Sequence, residues 1–213
     1  MHHNMETIRV KFNNESKFSL SSQLFSKFKS YIPFTSSSLD FDSLNIIIND
    51  LIINNRTSVL ELGSGFSTIL IAKVIKLNSH KCKFISVEHD SNWANIIREL
   101  LIKEELEGVV DVINAPLVDS YYDLTELYTQ LKYIDSLIID GPPAYKKEME
   151  LSRLPALYRV NKFFLQNYFI FLHDTNRPGE KQVLKKWAND FGLKFLTLSK
   201  GSYTLKGNYY NID

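Results

Sequence analysis

The sequence predicts an α/β fold: a doubly wound, mostly parallel seven-stranded sheet, with a reversed hairpin at its C-terminal end and helices ahead of it. Two observations carry this prediction. From Thr57 onward, apolar β-rich runs alternate with segments of helical period, the pattern of a parallel sheet covered on both faces. The last two runs are joined only by the short "SKGS", so one of them must run antiparallel to its neighbour.

The elements follow in order. "FSLSSQLFSKFKSYI" sets Leu20, Leu24, Phe25 and Phe28 at helical spacing, and "SLDFDSLNIIINDLIINN" reads as a second helix capped near Asp40 or Ser43. Residues 1–55 are therefore expected to form a helical cap within the same domain as a core at 56–213. "SVLEL" is the first strand and "STILIAKVIKLN" its helix, which Ser67 or Thr68 can cap. "KFISVE" is the second strand. The helix in "SNWANIIRELLIKEELEG" is expected to run to Gly108, where glycine accepts a left-handed C-cap easily. "VVDVINA" and "DSLIID" make the third and fourth strands. A helix near 151–162, a strand "YFIFLHD", a helix "EKQVLKKWANDF" and the pair "LKFLTL" and "SYTLKG" complete the pattern.

Composition narrows the function. A chain of 213 residues, 44% apolar and 23% charged, suits one well-buried globular domain. Lys+Arg 25 against Asp+Glu 24 leaves no basic surplus of the kind that binds phosphate backbones, so no nucleic-acid partner is expected. Cys82 is the only cysteine, which precludes an internal disulfide and argues against a thiolate zinc site; a reducing cytoplasm is the natural compartment. "MHHNMETIRVKF" lacks a signal-peptide core and "IIINDLII" is short and broken by Asn49 and Asp50, so no membrane partner is expected.

The most informative stretch is "VLELGSGFST". Gly63 and Gly65 let the backbone turn tightly and approach a ligand where a strand meets a helix. Glu88 ends the second strand in "ISVEHD", where a carboxylate can accept hydrogen bonds from ribose hydroxyls. The pair fits an adenosine-containing cofactor, either a dinucleotide or S-adenosylmethionine (SAM). The dinucleotide fingerprint wants Gly or Ala where this chain has Thr68. Glu61, just ahead of the glycines, suits a cationic group better than pyrophosphate. The loop therefore favours SAM.

"VLELGSGFST", "VEHD", "IIDGPP" and "FLHDTNRPGE", in this order and spacing, resemble the class I SAM-dependent methyltransferases, a Rossmann-like family. The nearer likeness is to bacterial small-molecule members with a "GSG(F/Y)ST" loop, over about residues 57–207. The resemblance implies that Glu61, Gly63, Ser64 and Gly65 line the methionine end of SAM, with Ser67 beside them. It implies that Glu88 takes the ribose and that His89, Asn114 and Ala115 lie by the adenine. Asp140, ending the fourth strand, would lie next to the sulfonium methyl.

The acceptor chemistry rests on fewer residues. Gly141 separates Asp140 from Pro142–Pro143, which breaks the register that base-directed amino methyltransferases use. In metal-dependent O-methyltransferases, carboxylates after the fourth and fifth strands hold a divalent cation, and Asp140, His173 and Asp174 match that pattern loosely. Two carboxylates and an imidazole suit Mn²⁺ or Fe²⁺ better than Mg²⁺. Alternatively His173, titrating near neutrality, is a general base oriented by Asp174, or Asp174 merely caps a turn. Tyr121, Tyr122, Tyr128 and Tyr133 can line a pocket or simply pack. Arg153 and Arg159 can face an acidic substrate or, by default, form a solvated helix face; Arg177 is a better partner for an anionic group, and Trp93 and Trp187 read as core. The expected function is SAM-dependent methylation of a small molecule, most naturally at oxygen. The alternatives are a non-catalytic SAM- or nucleoside-binding module supporting another enzyme, and a nicotinamide-dependent oxidoreductase. An aromatic-rich N-terminal helix could also pair two subunits as a homo-oligomer.

Overall fold

The computed structural model describes residues 26–212. Leu20, Leu24 and Phe25 of the first expected helix lie outside this range. From Ser26 to Tyr31 the chain forms turns and bends instead of the rest of that helix. The reason is visible: the amides of Lys29 and Ser30 donate at 2.9 and 2.8 Å to the Glu104 carboxylate, which a helix would not allow.

The first described helix, α1 (Phe41–Ile53), starts at Asp40, whose Oδ1 accepts from the amides of Asp42 and Ser43. The core then alternates β1 (Ser58–Leu62), α2 (Phe66–Leu77), β2 (Lys83–Glu88), α3 (Ser91–Lys103) and β3 (Val110–Asn114). A two-stranded ribbon, β4 (Leu117–Val118) and β5 (Tyr121–Tyr122), and a short helix, α4 (Thr125–Gln130), precede β6 (Ile134–Ile139). After it come α5 (Pro155–Val160), β7 (Phe164–His173), α6 (Pro178–Phe191), β8 (Leu196–Thr197) and β9 (Gly201–Lys206). The main sheet has seven strands in the order β3-β2-β1-β6-β7-β9-β8. Its first five strands are parallel, and β9 runs antiparallel to both β7 and β8, which is the expected reversed hairpin.

Period-two alternation explains why these strands are buried on both faces. Val59, Phe84, Phe169 and Phe171 join the apolar cluster under α1, α2 and α3. Leu60, Ile85, Ile170 and Leu172 join the opposite cluster, with Leu157 of α5 and Val183 and Trp187 of α6.

Several details differ from the sequence expectation. Helix α3 stops at Lys103, not at Gly108, because Glu104 turns its carboxylate inward and Glu105 takes the left-handed turn at φ 56°. The helix expected near 151–162 is reduced to α5, which opens on Pro155, a residue with no amide hydrogen to lose in a first turn. The β4–β5 ribbon was not anticipated: its strands are two residues long, too short for a periodic signal. Among the described residues, no helix is long and apolar enough to cross a membrane.

Candidate active site

The chain leaves β1 toward β2 and β3 on one side, while β6 and β7 lie on the other, so a crevice opens at the carboxyl ends of β1 and β6. A cavity of about 600 Å³ occupies that place, within the range of small-molecule sites. Gly63 and Ser64, Glu88 and His89, Asp140, and His173 with Asp174 all line it.

Gly63 has φ 100°, and a Cβ there would lie 2.7 Å from the Gly141 amide nitrogen, so the β1 and β6 ends touch backbone to backbone. Gly141 is equally constrained, since a Cβ on it would collide with the Tyr122 hydroxyl. That hydroxyl is buried without a hydrogen-bond partner among the described residues, and Tyr122 lines the cavity.

Glu61 does not line the cavity. It is fully buried below the loop and accepts from the hydroxyls of Ser67 and Thr68 at 2.5 Å each and of Ser86 at 2.7 Å. Burial pushes its carboxyl up to about 7 against these hydrogen bonds. Thr68 also accepts from the Gly65 amide at 2.9 Å, so Glu61, Ser67 and Thr68 together shape the start of α2 from beneath. Gly65 and Ser67 stay outside the cavity lining with Glu61.

Glu88, 4% exposed, organises the neighbouring rim. Its Oε1 accepts from the amides of His89 and Asp90, at 2.8 and 2.9 Å, and lies 2.7 Å from His89 Nδ1. Its Oε2 accepts from the Ser64 amide at 3.1 Å. The hydrogen bond to Glu88 raises the His89 imidazole, while burial opposes it. Asn114 and Ala115 are one layer back: the Asn114 side chain donates to the carbonyls of Glu88 and His89, and the Ala115 amide to that of Glu88. They hold the end of β2 and do not line the cavity.

Trp93, read from the sequence as core, does line it, and its indole donates to the Ser64 carbonyl at 2.8 Å. Its apolar neighbours in α3 masked that role; its place one turn after the Asp90 N-cap, directly beyond "VEHD", was the available signal. Trp187 is core as expected, fully buried.

At the β6 and β7 ends, Asp140 Oδ1 lies 2.8 Å from His173 Nδ1. His173 Nε2 faces Asp40 Oδ2 at 3.5 Å, so the N-cap of α1 reaches into the site. Burial disfavours the imidazolium, yet Asp140, Asp40 and the Asp174 charge outweigh it and push His173 up to about 9. The same contact, with Ser43, holds Asp40 well below the usual carboxylate range despite burial. His173 is thus raised above the near-neutral range the sequence led one to expect; Nδ1 is engaged by Asp140, while the buried Nε2 has no hydrogen-bond partner among the described residues.

Asp174, at φ 59°, places Oδ2 at 2.9 Å from Arg177 Nη1 and 3.3 Å from Arg153 Nη1. Arg153 is 3% exposed, the reverse of a solvated helix face. One donor atom each from Asp140, His173 and Asp174 lie within 4.8 Å of one another, close enough in distance alone for a metal ion.

Known proteins share this arrangement of elements. The O-methyltransferase from Bacillus cereus, solved with S-adenosylhomocysteine (SAH), superposes with TM-score 0.61 at 14% identity over 94% of both chains. TomG, an O-methyltransferase of tomaymycin synthesis from Streptomyces achromogenes solved with SAM, gives 0.60 at 11% identity over 93% of this chain and 91% of its own. A curated relative, a probable ribosomal RNA small subunit methyltransferase A of Methanosphaera stadtmanae, is 25% identical over 95 residues. That match covers 45% of this chain and only 34% of the relative, so the chain spans about a third of its length. The family described as "Methyltransferase domain" matches residues 60–175, from β1 with its glycine loop through the Asp140, His173 and Asp174 cluster. More than half of the chain thus carries the family pattern at the residues that build the cavity, and the chain belongs to this family as a class I SAM-dependent methyltransferase.

Proposed function

We propose that the chain transfers the methyl group of SAM to a small-molecule acceptor, at oxygen. The observation that carries the reading is the Glu88 carboxylate at the end of β2: Oε1 is engaged by its own loop, while Oε2 takes a single amide bond and keeps lone-pair capacity at the cavity wall. A ribose diol needs such an acceptor. SAM brings an activated methyl on a sulfonium leaving group, so alignment supplies much of the rate. Gly63 and Ser64 admit the cofactor close to the backbone, and Trp93 steadies Ser64. Asp140 Oδ1 is committed to His173, and its Oδ2 has no partner among the described residues; that oxygen is placed to accept the acceptor's hydroxyl proton, with His173 as a positioning group.

Two features favour a small acceptor. The cavity, about 600 Å³, is lined by Ser36 and Ser37 ahead of α1 and by Tyr145 after β6, a volume that suits a small molecule. The O-methyltransferases from B. cereus and S. achromogenes share the fold along nearly all of its length. Residues 26–55 then act as part of the same domain and flank the acceptor side. Arg177, 39% exposed in its side chain at the mouth, is placed to meet an anionic substituent.

The test is calorimetric titration of SAH into wild type and Glu88→Ala. A charged hydrogen-bond acceptor contributes about 1.5–3 kcal/mol, so the substitution is expected to weaken SAH by roughly 10- to 150-fold. Equal affinity for both proteins, or none for wild type, overturns the reading. An acceptor screen with labelled SAM then follows.

A further inference from the structure

Three carboxylates, Asp140, Asp174 and Glu180, converge on one buried guanidinium. Arg153 sits just before α5, yet its side chain runs inward to the ends of β6 and β7. Nε donates to the Pro142 carbonyl at 3.1 Å, and Nη1 donates to the His173 carbonyl at 3.2 Å and to Asp174 Oδ2 at 3.3 Å. Nη2 donates to the Asp140 carbonyl and lies 3.8 Å from Asp140 Oδ1. Nη1 is also 3.7 Å from Glu180 Oε1. Glu180 is 1% exposed and neither of its oxygens has a hydrogen-bond partner among the described residues. Burial raises its carboxyl, against the attraction of Arg153 and Arg177.

A divalent cation bound by Asp140, His173 and Asp174 needs free donor atoms, an unprotonated imidazole among them. The atoms that would close on an ion are engaged instead with one another and with Arg153: His173 Nδ1 lies 2.8 Å from Asp140 Oδ1, and Asp174 Oδ2 is shared by two guanidiniums. That leaves Asp140 Oδ2 and Asp174 Oδ1 as the only carboxylate oxygens of the cluster outside these contacts among the described residues. The donor set does not fit a metal ion while Arg153 is in place. A planar guanidinium with five fixed donors can staple two strand ends and neutralise their carboxylates at once, as a point cation without ligand geometry cannot.

We infer that Arg153 is the built-in cation of this site: a positioning residue that fills the place of a divalent ion, holds Asp140 and Asp174 at the strand ends, and leaves the site without need of a metal. The functional half of this inference rests on the methyl-transfer reading of the cavity; the cation half does not. Removing the guanidinium should uncover a carboxylate–imidazole cluster with an appetite for Mn²⁺, since the affinity of such sites follows their ligand charge.

The experiment is titration with Mn²⁺ followed by the loss of its free-ion paramagnetic resonance signal, on wild type, Arg153→Met and Arg153→Lys. Wild type is expected to show no saturable site up to about 1 mM, the weak end for oxygen-ligand sites. Arg153→Met is expected to bind Mn²⁺ at least about tenfold more tightly, and Arg153→Lys, which restores the charge, to lose that gain. A saturable wild-type site that disappears in Asp174→Asn overturns the inference, as does Arg153→Met that folds without gaining Mn²⁺. Should Arg153→Met fail to fold, the wild-type titration with Asp174→Asn still decides. SAH calorimetry on the same wild-type sample reads the cofactor assignment separately: SAH bound and Mn²⁺ bound sinks only the built-in cation, whereas SAH unbound sinks only the methyltransferase reading.

Discussion

Glu61 shows how a residue beside a ligand loop can be structural. Its carboxylate is fully buried, and desolvation raises it from the usual value near 4.5 to about 7, although three hydroxyls donate to it. A carboxyl raised on folding holds more protons in the folded than in the unfolded state between those two values. Its contribution is therefore complete below about 4.5 and is lost as pH rises through about 7. Glu61→Gln removes the titration while keeping the shape. The expected result in scanning calorimetry is that wild type loses stability relative to Glu61→Gln between pH 5 and pH 8; parallel profiles would refute it. The sequence placed Gly63, Ser64, Glu88, Asp140, His173 and Asp174 at the site because strand-end position follows from periodicity. It could not show that Glu61 points down into hydroxyls, that Arg153 turns inward, or that Asp40 serves His173 as well as its helix. Those are choices of side-chain direction made by packing between segments far apart in the chain.

At the scale of elements, strands were legible where burial on both faces forces continuous apolar runs, as in β1, β2 and β6, all but the first residue of which are buried in β2 and every residue in the other two. Helix ends were less so. The end of α3 is set by Glu104, which accepts from the amides of Lys29 and Ser30, from the Ser30 hydroxyl and from Lys73 Nζ at 2.8 Å. One carboxylate thereby ties the segment ahead of α1 to α2 and α3. No local pattern announces a partner 75 residues away. Burial alone would raise this carboxyl, but Lys73 and the Lys29 and Ser30 donors hold it down at about 2. A depressed carboxyl stabilises above its unfolded value near 4.5, and that contribution fades as pH falls through about 2. Glu104→Gln strands a Lys73 ammonium whose side chain is only 7% exposed. Urea unfolding at pH 7 is expected to show a loss of about 3 kcal/mol, at the low end for breaking one half of a buried pair. Hydrogen exchange at residues 29–32 should accelerate in the same variant. A loss below about 0.5 kcal/mol, ordinary for a surface change, would remove Glu104 from this role.

On the scale of the whole molecule, the question is whether the segment ahead of β1 is a separable lid or part of one cooperative unit. Helix α1 buries Leu44, Ile46, Ile47, Ile48 and Leu51 in the same apolar cluster as Val59 of β1 and Ile71 of α2. At about 1.5–3 kcal/mol per buried side chain, these five contribute on the order of 10 kcal/mol as an upper estimate. That equals the whole stability of an ordinary domain, about 5–15 kcal/mol. The helix also holds the other end of the chain: Asn49 donates to the Ile212 carbonyl, and Asn54 exchanges hydrogen bonds with the Tyr210 backbone. Its N-cap, Asp40, faces His173 at the cavity, which Ser36 and Ser37 also line. A chain beginning at residue 57 should therefore lack both a cooperative thermal transition and SAH affinity, even though it keeps every strand and the glycine loop. The full chain should melt in one transition, with calorimetric and van't Hoff enthalpies equal and with SAH raising the midpoint. A folded 57–213 fragment that binds SAH would make α1 and the segment just ahead of it an accessory to the site, and the acceptor pocket would then have to be assigned to the strand-end loops alone.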